Sequence, residues 1–91
     1  MKKSEEDVHV LIKLSREMKG KSIFNSVVIE AGERPNKAHI WQTSEDDIWV
    51  VMKEERKFTD FKHFNGEQAL SKARSFAKQF VLEPLRKAVT C

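Results

Sequence analysis

Basic and aromatic side chains are the residues of this 91-residue chain whose types point to chemistry. Lysine and arginine neutralise phosphates, and an exposed tryptophan ring is a surface on which a nucleic-acid base stacks. Basic residues recur in pairs in several predicted loops and on one predicted helix, and the two tryptophans lie in neighbouring predicted strands. We therefore predict a nucleic-acid-binding set, with single strands preferred, made of Lys19, Lys21, Arg34, Lys37, Arg56, Lys57, Arg74, Lys78, Trp41 and Trp49.

The distribution of charge agrees with this prediction. The chain has a net charge of +3, but residues 1–55 hold 9 basic and 11 acidic side chains, whereas residues 56–91 hold 8 and 3. A basic C-terminal third attracts phosphate or an acidic partner. The plainer interpretation stays open: the lysines keep the protein soluble, and both tryptophans belong to the core that so short a chain needs.

The residues that could support catalysis or metal binding are scattered. His9, His39 and His63 lack the spacing of a metal-binding motif, and the acidic pairs lie at predicted element ends. Three glycines are too few for the known nucleotide-binding loops, and Cys91 is the only cysteine. We expect no enzyme, and neither a metal nor a small-molecule cofactor.

The chain lacks the features of membrane or secreted proteins. No apolar run approaches the roughly 20 residues that a membrane helix needs. Two N-terminal lysines are followed by three acidic residues rather than by an apolar stretch and a cleavage site. We expect a cytoplasmic protein that does not bind membranes.

Hydrophobic periodicity divides the chain into short elements. Residues 8–14 fit both a strand and a helix; the density of β-branched residues favours a strand, followed by a Lys19-Gly20-Lys21 loop. Alternating patterns predict strands over residues 22–29, 37–43, 48–53 and, at an edge, 58–64. An amphipathic helix is predicted over 66–82, with Asn65 as its N-cap, Gln68 completing a capping box, and Pro84 beyond its end.

The hairpin between the two tryptophan strands allows a geometric inference. A four-residue loop over 44–47 pairs Thr43 with Ile48 and sets Trp41 opposite Val50. Each face of the sheet then carries apolar residues and one tryptophan. Since an antiparallel sheet with one open face shows polar residues there, we expect the second face to be covered by another element, a partner subunit or a ligand.

These patterns predict one α+β domain over residues 1–91, with a four- or five-stranded antiparallel sheet packed by a long C-terminal amphipathic helix. Residues 1–7 are expected to form a flexible tail, and residues 83–91 a short extension after the helix. The predicted core comprises Val10, Ile12, Leu14, Ile23, Val27, Ile29, Ile40, Val50, Met52, Leu70, Ala73, Phe76, Ala77 and Phe80.

The strand–Lys-Gly-Lys–strand pattern around Lys13 to Ile23, followed by further strands and a helix, resembles the single-stranded-DNA-binding transcriptional coactivator domains. This resemblance implies a dimer that holds single strands on its sheet; the acidic Glu45-Asp46-Asp47 loop departs from it. The alternative function is protein interaction through an apolar sheet face, as a homodimer or with another protein. Small viral and mobile-element proteins that inhibit host machinery, including phage accessory proteins, have a similar build.

Overall fold

The computed structural model describes residues 2–82, with side-chain surroundings from His9 onward. Two helices enclose a four-stranded antiparallel sheet in which consecutive strands are neighbours. The elements are α1 (Lys2–Met18), β1 (Asn25–Ile29), β2 (Asn36–Ser44), β3 (Asp47–Glu54), β4 (Lys57–Asn65) and α2 (Ala69–Leu82). The predicted α+β class, antiparallel sheet and C-terminal helix are confirmed.

Helix α2 covers one face of the sheet and builds the larger core cluster. Its buried residues repeat every four positions, as Ala69, Ala73, Ala77 and Val81, and form a stripe of mostly small side chains. Small residues bring the helix close to the sheet. The stripe packs on the buried side chains of β2 and β3, which are Ala38, Ile40, Ile48 and Val50.

Helix α1 covers part of the opposite face, where a strand was the preferred prediction. Leu14 and Met18 are buried against Trp49 and Val51 of β3, and the helix also packs along β4. Residues three or four positions apart share a helix face. Ile12 is two positions from buried Leu14, so it faces away from the sheet and is 46% exposed. Residues 2–7, expected to be a tail, belong to α1. The second sheet face was expected to be covered by another element, a partner subunit or a ligand. In the structure, α1 of the same chain covers part of it.

The β2–β3 hairpin differs from its prediction by one residue. Ser44 pairs with Asp47, so the loop has two residues rather than four. A bulge between Gln42 and Ser44 then shifts the register by one residue, so that Trp41 lies opposite Trp49. A shift of one residue in one strand moves all its side chains to the other face. Both tryptophans therefore lie on the α1 side, and Ile48 and Val50 face α2.

Several other predictions need smaller corrections. Asn65 is the last residue of β4 rather than an N-cap, since the helix begins at Ala69 and the Gln68 carbonyl accepts its first hydrogen bond, from Lys72. The strand predicted over 22–29 begins only at Asn25, which leaves Ile23 41% exposed and outside the core. The 83–91 extension lies outside the described residues.

Without a first strand, the strand–Lys-Gly-Lys–strand pattern is absent from the fold. Lys19 and Gly20 instead end α1, both with positive φ angles of 54° and 78°. Within residues 2–82, no helix has the length and apolar character needed to cross a bilayer.

Candidate functional site

The two tryptophans lie side by side on one sheet face but differ in accessibility. Trp49, on the central strand β3, is 1% exposed beneath α1. Its ring stacks on the His63 ring, with ring centroids 4.0 Å apart and planes 9° from parallel. Trp41 on β2 is only partly buried. Trp41 is therefore the tryptophan that a ligand can reach, and Trp49 is a core residue.

The part of this sheet face toward β1, here called the Trp41 face, borders the α1 cluster, against which Trp41 packs. It consists of side chains from the three strands β1, β2 and β3: Val28, Lys37, His39, Trp41 and Lys53. Helix α1 packs over the β4 side, and Val28 on the outer strand remains 45% exposed. This surface combines one accessible indole ring, one imidazole and two ammonium groups.

Lys37 and Lys53 are directly opposite each other in the β2–β3 register. Like charges in this position destabilise a sheet. Each lysine also has a neighbouring group of its own: Glu30 lies 3.8 Å from the Lys37 ammonium, and the Lys53 ammonium lies 5.2 Å from the centroid of the Phe58 ring.

His39 lies between these lysines and Trp41, with its ring edge-on to Phe58 at 5.3 Å. Burial lowers the pKa of His39, and the charges of Lys53 and Lys37 lower it further against a smaller opposing effect of Glu30. Burial is thus the main cause of the lowered pKa, and the two lysine charges act in the same direction.

A groove of about 310 Å³ runs beside Trp41, between α1 and the sheet. Its walls are the apolar side chains of Leu11, Leu14 and Met18, and Lys21 stands at its edge. The groove therefore offers apolar contact with a single basic group at the rim.

Asp47 fixes the Lys21 end of this groove. Its carboxylate accepts hydrogen bonds from the Thr43 hydroxyl, from Lys21 Nζ at 3.2 Å and from His63 Nε2 at 2.8 Å. Burial raises the pKa of Asp47, but these three hydrogen bonds and the Lys21 charge outweigh burial and hold the pKa below its ordinary value. The ionised carboxylate thus ties the α1–β1 connection to the hairpin and to β4.

The remaining predicted basic residues do not converge on Trp41. Arg34 and Arg56 are exposed in the β1–β2 and β3–β4 connections, which meet through a hydrogen bond from the Glu55 amide to the Pro35 carbonyl. Lys57 is the first residue of β4, and Lys19 is exposed at the end of α1. Arg74 and Lys78 are exposed on α2, in the layer on the other side of the sheet. From the predicted set, the structure therefore places Lys37 and Trp41 on one sheet face, and Lys21 with Trp41 at the groove beside α1.

Lys53 and His39 belong to this surface but are missing from the predicted set. Alternation along a strand places Lys37, His39 and Trp41 on one face, which is visible in the sequence. The position of Lys53 opposite Lys37 depends on the hairpin register, which the bulge between Gln42 and Ser44 shifts by one residue.

Comparison with known proteins adds no function to this geometry. No protein-family model matches the chain, and neither a curated protein nor a solved structure resembles it significantly. Among the side chains described from His9 to Leu82, no three metal-ligating groups converge.

Proposed function

We propose that this protein is a non-catalytic binding module that takes single-stranded nucleic acid on the Trp41 face. The observation that carries the proposal is the cross-strand pair Lys37 and Lys53 on the same sheet face as the partly exposed Trp41, which follows Lys37 by four residues along β2. Two lysines directly opposite each other in a sheet cost stability, and a phosphate bound by both side chains would remove that cost. Trp41 supplies the stacking surface for another base of the same strand.

Single strands suit this surface better than a duplex. The bases of a single strand are free to stack on an aromatic ring, whereas those of a duplex are already stacked and paired. The Trp41 face is a sheet surface rather than a projecting helix that could enter a groove. Two acidic groups lie at the margins of this surface, and each is paired with a lysine. Glu30 lies 3.8 Å from Lys37, and Asp47 lies 3.2 Å from Lys21.

The test is an anisotropy titration of labelled single-stranded oligonucleotides at about 50 and about 200 mM salt. The double variant Lys37→Ala/Lys53→Ala should bind more weakly, and its slope of log affinity against log salt should shrink by roughly 1.4, or about 0.7 for each lost phosphate contact. Trp41→Leu should weaken binding by about 1–3 kcal/mol.

Arg74→Ala/Lys78→Ala is the matched control, because it removes the same charge from α2 on the other side of the sheet. We expect its affinity to stay close to that of the unaltered protein. Equal losses in both double variants would mean that only net charge matters and would reject the site. No binding by the unaltered protein at low salt would reject the function.

A protein partner is the second candidate, favoured by the apolar groove between α1 and Trp41. Its 310 Å³ and apolar walls suit one or two apolar side chains of a partner. Such binding would vary little with salt, in contrast to phosphate binding. Ser15→Trp, at the groove wall, would block it while leaving the Lys37–Lys53 pair in place.

A further inference from the structure

The two edges of the sheet differ in how they are protected. β4, at one edge, carries the charged or ionisable residues Lys57, Asp60, Lys62 and His63. β1, at the other edge, has the sequence NSVVI and no charge. Within residues 2–82, no strand pairs with the outer side of β1. Charged residues on edge strands prevent pairing between molecules, so β1 lacks the protection that β4 has.

The exposed apolar side chains of the described residues concentrate beside this unprotected edge. Ile23 (41% exposed) and Phe24 (61%) lead into β1, and Val28 (45%) projects from it on the Trp41 side. Leu82 (53%) lies near it on the α2 side, where it lines a shallow groove of about 270 Å³ with Ile29. The fifth exposed large apolar residue among the described residues is Ile12, which lies on α1. Apolar surface therefore flanks the edge on both faces of the sheet.

We propose that β1 pairs antiparallel with β1 of a second copy, which joins two four-stranded sheets into one. A two-fold axis perpendicular to the sheet keeps each face continuous, with both α2 helices on one side. Pairing centred on Val27 sets Asn25 opposite Ile29 and Ser26 opposite Val28. No charged side chain opposes another across these five residues, and the unpaired backbone groups of both edges gain partners.

A second copy suits this edge because a two-fold interface places each strand against an identical one. An uncharged strand causes no like-charge repulsion in that arrangement. The surface area buried between the two copies also affects the stability of the dimer. A stable interface buries about 800 Å² on each partner, more than a five-residue strand supplies. Ile23, Phe24 and Leu82 provide the additional apolar area, which predicts a reversible dimer of micromolar stability. The dimer does not depend on the proposed nucleic-acid site.

The test is light scattering coupled to gel filtration, from low-micromolar to submillimolar protein. We expect a concentration-dependent mass that approaches twice the 10.6 kDa of one chain. Val28→Lys places like charges at the seam and should weaken self-association by at least about tenfold. Because Val28 is 45% exposed, the variant should keep the circular dichroism spectrum of the unaltered protein.

Ser26→Lys, at another exposed position of β1, guards against a folding defect specific to Val28. Thr59→Lys is the matched control, since it adds the same charge to an exposed position on the opposite edge strand, β4. It should leave the dimer intact. A monomer at every concentration, or a dimer that both folded β1 variants leave unchanged, would overturn the proposal. Failure of nucleic-acid binding would leave these outcomes unaffected.

Discussion

Asp47 joins three separate parts of the chain through one carboxylate. Thr43 and Asp47 flank the hairpin, Lys21 comes from the α1–β1 connection and His63 from β4. The His63 ring bonded to Asp47 also stacks on buried Trp49, so the carboxylate holds in place the imidazole that packs on this core residue. The acidic residues of the hairpin have different roles: neighbouring Asp46 is exposed and accepts a hydrogen bond only from Ser44 Oγ among the described side chains, at 2.9 Å.

Stability should therefore fall when Asp47 loses its charge. Because the folded protein holds the pKa of Asp47 below its unfolded value, its contribution is fully present above the unfolded pKa, near 4, and is lost as pH falls through the folded pKa. Asp47→Asn should cost roughly 1–3 kcal/mol at pH 7 and much less at acid pH, measured by urea unfolding. Asp46→Asn is the control and should change stability little at either pH. An equal cost of Asp47→Asn at both pH values would contradict the charged role.

The candidate site shows which residue-level facts the sequence contains. Strand alternation places Lys37 and Trp41 on one face, and this could be predicted. The burial of Trp49 could not, because it depends on the hairpin register and on a helix that approaches from far along the chain. The bulge between Gln42 and Ser44 sets that register, and a bulge leaves no distinct mark in the alternation of residue types.

Among the elements, α1 is where sequence patterns were ambiguous. Val8, Val10, Ile12 and Leu14 alternate as a strand would, yet Val10, Leu14 and Met18 also repeat every four residues. Short apolar runs fit both periods, and tertiary contact with Trp49 and Val51 decides. The other elements had a clear period together with bounding loops, so α2 and β2 to β4 could be predicted to within a few residues.

A pair of alanine substitutions in α1 separates the two periods in solution. In a strand, Ile12 and Leu14 would share a buried face, whereas in the helix Leu14 is 1% exposed and Ile12 is 46% exposed. Leu14→Ala should therefore cost about 2–5 kcal/mol of unfolding free energy. Ile12→Ala should cost within about 0.5 kcal/mol, as is usual at the surface. Urea midpoints measure both, and equal large losses would refute the helix packing.

At the scale of the whole molecule, the sheet is the middle layer between two helices. Each helix packs on a different face of the sheet. β3 connects the layers, because alternate residues face opposite helices: Ile48 and Val50 contact the α2 cluster, and Trp49 and Val51 the α1 cluster. The apolar character of both faces, visible in the sequence, follows from this arrangement. Loss of either helix exposes one side of a strand on which the other helix also depends.

This shared strand predicts that the two core clusters unfold together. Both tryptophans lie on the α1 side, so their fluorescence follows that cluster, while far-ultraviolet circular dichroism follows the whole backbone. The two urea transitions should coincide, as in a single cooperative unit. Ala77→Leu overfills the α2 side, where Ala77 is fully buried, and should destabilise the protein by about 1–3 kcal/mol. Although Ala77 lies across the sheet from both tryptophans, the fluorescence midpoint should shift as far as the circular dichroism midpoint. A fluorescence transition that stays in place would instead mean that α1 and its side of the sheet unfold as an independent unit.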